Sequence, residues 1–166
     1  MTEKNGDDKH VLSSAKRVLD GLRLIALSSE PVSLASLAAG LGLSEVAAYR
    51  VARTLMAAGY VRQAAGGRNG YEATWQIVEM SSALLDRSEL RTLASGPLSE
   101  LADRFGESVT LAVPDGDHVL FVDRINANRN VHFYCDTGRR LPLHVGAASR
   151  AILAGAPDAV FRTYLE

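Results

Sequence analysis

The chain has 166 residues, a formal net charge of −1 and 47% hydrophobic side chains. That length holds one ordinary domain or two small ones and carries enough apolar side chains for packed cores. The single cysteine, Cys135, excludes an internal disulfide, and no apolar run approaches the roughly 20 residues that span a bilayer, so a cytoplasmic protein is expected.

Residues 1–12 are polar and charged, a poor signal peptide, and are expected to form a disordered leader. Ser13 or Ser14 can cap a first helix whose apolar stripe is Val18, Leu19, Leu22, Ile25 and Ala26. It ends near Ser28, because Pro31 pushes Glu30 out of the helical region. Ser33 starts a second helix with Leu34, Leu37, Ala38 and Leu41 at the three-and-four spacing of one buried face. Gly40 and Gly42 then supply a turn, where a left-handed backbone is cheap. Ser44 stands at the N-cap of a third helix, with Glu45 favouring the positive end of its dipole. Gly59 closes that helix and Tyr60-Val61 switch to an extended pattern. Two short extended pieces around the glycine-rich run Arg62–Gly70 make a hairpin. The whole, residues 13–74, is the layout of a winged helix-turn-helix, a module that lays its second motif helix in the major groove of DNA.

Thr74 can cap a further helix through Trp75, Ile77, Val78, Ala83, Leu84 and Leu85 towards Leu93, read as a linker helix over 75–93 that contains the domain boundary. Gly96-Pro97 interrupts it, and Pro97 opens a new helix that buries Leu98, Leu101, Ala102 and Phe105. From Glu107 the period becomes two: Val109, Leu111 and Val113 alternate with Ser108, Thr110 and Ala112. Pro114–Asp117 makes a turn and Val119–Ile125 returns as a strand. Asn130–Tyr134 reads as a third strand, Arg140–Leu143 as a short fourth, and Ala147–Ala154 as a helix stopped by Gly155-Ala156-Pro157. The fold class is α+β.

The two halves differ in charge. Residues 10–74 carry seven basic against four acidic side chains, and residues 75–166 carry nine against twelve. A basic front and an acidic back suit a DNA-reading head joined to a body with another task. On the third helix Val46, Tyr49, Arg50 and Arg53 share one face while Ala48, Val51 and Leu55 point inward. Arg50 and Arg53 can bond guanine edges or phosphates, and Tyr49 can meet a phosphate or a thymine methyl. Arg62 and Arg68 flank the wing, where backbone or minor-groove contacts are expected. The DNA-binding set is therefore Ser44, Glu45, Val46, Tyr49, Arg50, Arg53, Arg62 and Arg68. Each arginine taken alone is as well explained as an ordinary solvated charge.

A second region, Leu141–Arg150, places the small residues Gly146, Ala147, Ala148 and Ser149 at a helix start. Open N–H groups there suit a carboxylate or other anion, though a tight helix–sheet contact explains small residues equally well. His144 reads as a hydrogen-bonded structural histidine, and Asp123-Arg124 as a strand-end charge pair or as exposed charges. Cys135 reads as a small buried hydrophobe rather than a thiolate partner of His132. No Gly-x-Ser-x-Gly elbow, phosphate-binding glycine loop or zinc-like spacing is present, so neither an enzyme nor a cofactor or metal is expected.

The order of these motifs resembles the IclR family of bacterial transcription regulators. The matching pieces are Ala15–Leu19, Leu34–Ala38, Leu41-Gly42-Leu43, Arg50, Leu55–Val61, Gly106–Val109, Val122-Asp123-Arg124, Gly138–His144 and Ala151–Ala154. The resemblance implies a winged helix-turn-helix joined by a helix to a GAF-like effector-binding domain, here residues 94–166. It also implies a homodimer or dimer of dimers on palindromic double-stranded DNA, and a small organic acid or aromatic metabolite as effector. The family's pocket uses the small residues after the Pro-Leu-His segment, which places it at Ala147 and Ala148. Two departures stand out. The reading helix carries Val46 and Ala47 where the family has hydroxyl residues, and family members continue beyond Glu166, so the effector domain is expected to be incomplete. A small-molecule sensor with a weakened DNA head, or a truncated regulator without effector response, are the alternatives.

Overall fold

The computed structural model describes residues 11–65, 70–126 and 136–165. The chain divides into two compact units between Ser82 and Ala83.

The first unit begins with α1 (Ser13–Ala26), α2 (Leu34–Leu41) and α3 (Glu45–Ala57). Leu12 occupies the N-cap position of α1 with no side-chain cap. Ser13 and Ser14 therefore lie inside the helix rather than capping it. Ser33 and Ser44 do cap: their hydroxyls accept from Ser36 N at 3.0 Å and Ala47 N at 3.3 Å, satisfying donors that the first helical turn leaves open. Gly42 is left-handed at φ 61°, and Gly59 at φ 84° ends α3, where Tyr60 N reaches back to Leu55 O at 3.0 Å.

Gly40 has a different role from the expected turn. It belongs to α2, and a Cβ there would stand 2.3 Å from Leu24 Cδ1, so it is a packing glycine. The stripe of α1 is also rotated from expectation. Leu19 is exposed, and Gly21 takes the buried place between Val18 and Ile25 because Val51 of α3 needs the room. The core joins Ile25, Leu37, Ala48, Val51, Ala52 and Leu55 to Val61 and Tyr71 of the wing. Fully burying one such leucine contributes roughly 1.5–3 kcal/mol.

The wing pairs β1 (Val61–Gln63) with β2 (Tyr71–Ala73), antiparallel, with Val61 opposite Ala73. Val32 joins as a bridge, exchanging both backbone bonds with Tyr71 at 2.9 and 2.8 Å. Thr74 Oγ1 accepts from Gln76 N at 3.4 Å and donates to Gly59 O at 2.6 Å, tying the wing's exit to the end of α3.

The helix begun at Thr74 does not run to Leu93. α4 (Gln76–Asp86) stops, and Ser88 caps α5 (Glu89–Phe105), accepting from Arg91 N at 3.4 Å. Gly96-Pro97, expected to break the pattern, lies within α5. A proline here forfeits one backbone bond to Leu93 O, and that helix face is open to solvent, where water can take its place.

In the second unit β3 (Val109–Asp115) and β4 (His118–Ile125) form a hairpin, and β5 (Arg140–Pro142) adds antiparallel to β4 in the order β3-β4-β5. The hairpin turn is two residues, Gly116-Asp117, with Pro114 and Asp115 still in strand. Strict alternation also fails: the register slips between Leu111 and Ala112. As a result Phe121 packs in the cluster of Val119, Leu143 and Leu153, whereas Asp123, two residues on, is reached by Arg91 of α5. α6 (Ala147–Ala154) has the predicted bounds. A further helix, α7 (Asp158–Leu165), follows it and was not expected; Pro157 O accepts from Val160 N and Phe161 N at its first turn. The expected strand Asn130–Tyr134 and the residues His132 and Cys135 lie outside the described residues. No helix among the described residues is long and apolar enough to cross a membrane.

Candidate nucleic-acid interface

α3 is held by its inner face. Ala48, Val51, Ala52 and Leu55 are 6% exposed or less, so the opposite face is forced outward. That face carries Val46 at 74% and Tyr49 at 48% exposure, with Arg50 and Arg53 also exposed. Four predicted contact residues thus lie on one helical surface, with Ser44 at its capped N-terminus and Glu45 in its first turn. Neither Arg50 nor Arg53 has an ion-pair partner among the described residues, which leaves both guanidinium groups available to phosphate oxygens or guanine edges. Thr54 Oγ1 donates to Arg50 O at 2.8 Å, a bond within the helix that leaves the arginine side chain untouched.

On the wing, Arg62 has a cross-strand partner. Arg62 Nε donates to Glu72 Oε1 at 2.8 Å across the β1–β2 pair, so its charge is partly spent inside the hairpin. The signal for this was legible: the two residues stand directly opposite once the hairpin register is set. Arg68 lies outside the described residues. Beside the wing, Arg62, Glu72, Thr74, Ile77, Val78 and the 81%-exposed Trp75 line a cleft of about 330 Å³.

In the second unit Gly146 sits at φ 84°, ψ 170° before α6, and no side chain caps the helix. Gly146 and Ala147 are exposed and Ala148 is half-buried. Ser149 is fully buried, and its Oγ has no hydrogen-bond partner. An unsatisfied buried hydroxyl costs about 1–3 kcal/mol, so a polar group arriving at this helix start would find a donor waiting. His144 Nδ1 lies 2.6 Å from Tyr164 Oη, which also accepts from His144 N at 3.3 Å. The hydroxyl and Nδ1 share one hydrogen bond, whose direction follows the imidazole tautomer. Tyr164 had no signal in the sequence, because α7 was not foreseen.

Two carboxylates in this unit are perturbed. The Arg91 guanidinium, 3.0 Å from Asp123 Oδ2, holds that carboxyl below its usual range. Asp117 is held low by its hydrogen bond with His118, 2.6 Å away. Asp123 and Arg124, expected as a strand-end charge pair or as exposed charges, take separate partners: Arg124 Nη1 donates to Asp136 at 2.8 Å.

The first unit is a winged helix-turn-helix whose reading-helix position carries two outward arginines, and the second, among the described residues, combines three strands with flanking helices. The IclR helix-turn-helix domain model matches residues 14–65, and the bacterial transcriptional regulator IclR C-terminal model matches residues 82–166. The chain belongs to the IclR family, whose members are transcriptional regulators and not enzymes. The HTH-type transcriptional regulator KipR of Bacillus subtilis is 27% identical over 153 residues, 91% of this chain and 60% of the relative. The glycerol operon regulatory protein of Streptomyces coelicolor is 32% identical over 149 residues, 89% of this chain and 58% of the relative. The crystal structure of an IclR family regulator from Brucella abortus matches with a TM-score of 0.82 at 25% identity, covering 99% of this chain and 62% of that one. This chain spans about 60% of the length of the curated relatives it matches.

Proposed function

We propose that the protein is a cytoplasmic, sequence-specific DNA-binding regulator that acts as a homodimer on a palindromic operator. The observation that carries this reading is the outward face of α3, where Arg50 and Arg53 stand exposed and without ion-pair partners among the described residues, opposite a buried apolar face. Ser44 and Glu45 set the helix start, Val46 offers an apolar contact for a thymine methyl, and Tyr49 adds a hydroxyl for phosphate. Arg62 of β1, and Arg68 in the sequence between β1 and β2, are the further proposed contacts.

A salt-titrated footprint on the DNA upstream of the protein's own gene tests this. Protection of two related half-sites, lost in Arg50→Ala, is the expected result; equal affinity for random duplex overturns it.

The second unit is proposed to receive a small organic acid or aromatic metabolite at Gly146, Ala147, Ala148 and Ser149. Support comes from the uncapped start of α6 and the partnerless Ser149 hydroxyl beside it. Acetate and benzoate are suitable probes. A rise in melting temperature with either, abolished in Ala147→Leu while the fold is retained, is expected; no shift at millimolar probe removes the effector reading without touching the DNA-binding one.

A further inference from the structure

Beyond Leu55 the packing of α3 runs out: Met56 is half-buried, and Ala57, Ala58 and Gly59 are exposed. The carbonyls at its exit are held by hydrogen bonds instead. Thr74 N donates to Tyr60 O at 2.9 Å and Thr74 Oγ1 to Gly59 O at 2.6 Å. Ala58 O and Gly59 O both face the half-buried Gln76 carboxamide, which fixes its orientation. Its Nε2 donates to Gly59 O at 3.0 Å and to Ala58 O at 3.3 Å. Three consecutive carbonyls thus accept four bonds from two residues. Gly59 leaves the room for this: a Cβ there would stand 2.6 Å from the end of the Gln76 side chain.

The local bonds at this exit, from Gly59 N to Met56 O and from Tyr60 N to Leu55 O, shape the turn but do not fix where the helix end lies. The bonds from Thr74 and Gln76 do, because they tie it to the start of α4 within the same compact unit. Thr74 Oγ1 also accepts from Gln76 N at 3.4 Å, so the two donors set each other's place. Arg53 stands about one and a half turns before Ala58 on the same helix. A bidentate contact to a base edge needs two hydrogen-bond distances satisfied at once, whereas a phosphate offers several oxygens that a long side chain can follow. The hold on the helix end therefore bears on base reading more than on charge-driven affinity.

We propose that Gln76, supported by Thr74, is a positioning residue for DNA recognition: its carboxamide clamps the C-terminal end of α3 at the angle that base contacts from Arg50 and Arg53 require. The inference rests on the reading of α3 as the DNA-contacting helix and adds a residue that acts through that helix.

Three variants of the full chain test it, each titrated with a duplex that the parent protein selects from a random library and with random duplex. Gln76→Met keeps the length of the side chain and loses its donors. Gln76→Glu sets oxygen against the two carbonyls and negative charge at the negative end of the α3 dipole. Each should lower the preference for the selected duplex by about fivefold or more. For Gln76→Met the affinity for random duplex and the salt slope should stay at the parent's values, because no phosphate-binding charge is removed. Gln76→Lys still donates to carbonyls at a helix end and should keep the preference within about twofold of the parent's. A parent-like preference in both Gln76→Met and Gln76→Glu overturns the proposal and leaves the DNA reading standing. So does an equal loss on both duplexes, or a Gln76→Lys variant as indiscriminate as Gln76→Met. A parent that enriches no sequence removes the DNA reading and the clamp together.

Discussion

A Cβ added at Gly21 of α1 would stand 2.7 Å from Val51 Cγ1 of α3, so the reading helix rests against the first helix at a point with no room for a methyl group. Val51 is buried and β-branched, and it cannot swing aside. Gly21→Ala is therefore expected to destabilise the first unit by about 1–3 kcal/mol despite alanine's better helix propensity. Urea unfolding followed by circular dichroism checks the sign. A stabilised variant would show that α1 and α3 can separate at this point.

The start of α3 depends on one hydroxyl. Ser44→Ala removes the acceptor for Ala47 N and should cost about 1 kcal/mol. Ser44→Asp should restore it, since a carboxylate serves the same donors and favours the helix dipole. Hydrogen exchange at the first turn of α3 reports both effects.

Arg91 and Asp123 link α5 to β4, with side chains 28 and 24% exposed. Because the folded state holds Asp123 below its ordinary pKa of 3.8, the pair contributes stability that is full above that value. The contribution is lost as pH falls through the lower folded value. Arg91→Gln should cost about 1–2 kcal/mol near neutrality. The deficit should shrink below pH 4, where Asp123 is protonated in the unfolded chain and increasingly in the folded one. Denaturation series at pH 7 and pH 3 measure the difference; an equal deficit at both would sink the ionic account.

Arg50 and Arg53 should separate by salt. An arginine on phosphate weakens binding to all sequences alike and, when removed, reduces the salt slope by about 1. An arginine on a guanine edge costs about 1–3 kcal/mol and relaxes the sequence preference at one position. Titrations of Arg50→Ala and Arg53→Ala between low and moderate salt assign each residue. If neither variant differs from the parent, the outward face of α3 is not the reading surface.

The DNA-reading head was legible in the sequence because its signals are local. Two serine caps, the Gly42 and Gly59 exits and a three-and-four apolar period each act within one turn of chain, and the inward set Ala48, Val51 and Leu55 is buried as the period requires. The same holds for α6. Where the sequence misled, a distant neighbour had decided the matter. Leu24 made Gly40 a packing position, and Val51 turned the stripe of α1 from Leu19 to Gly21. The strand period failed at a bulge, which no local composition announces, and so Phe121 and Asp123 serve different helices. Helix caps and periods are written into neighbouring residues and survive in any context. Which side of a glycine is crowded, or which charge is already paired, depends on segments tens of residues away, and only tertiary packing decides it.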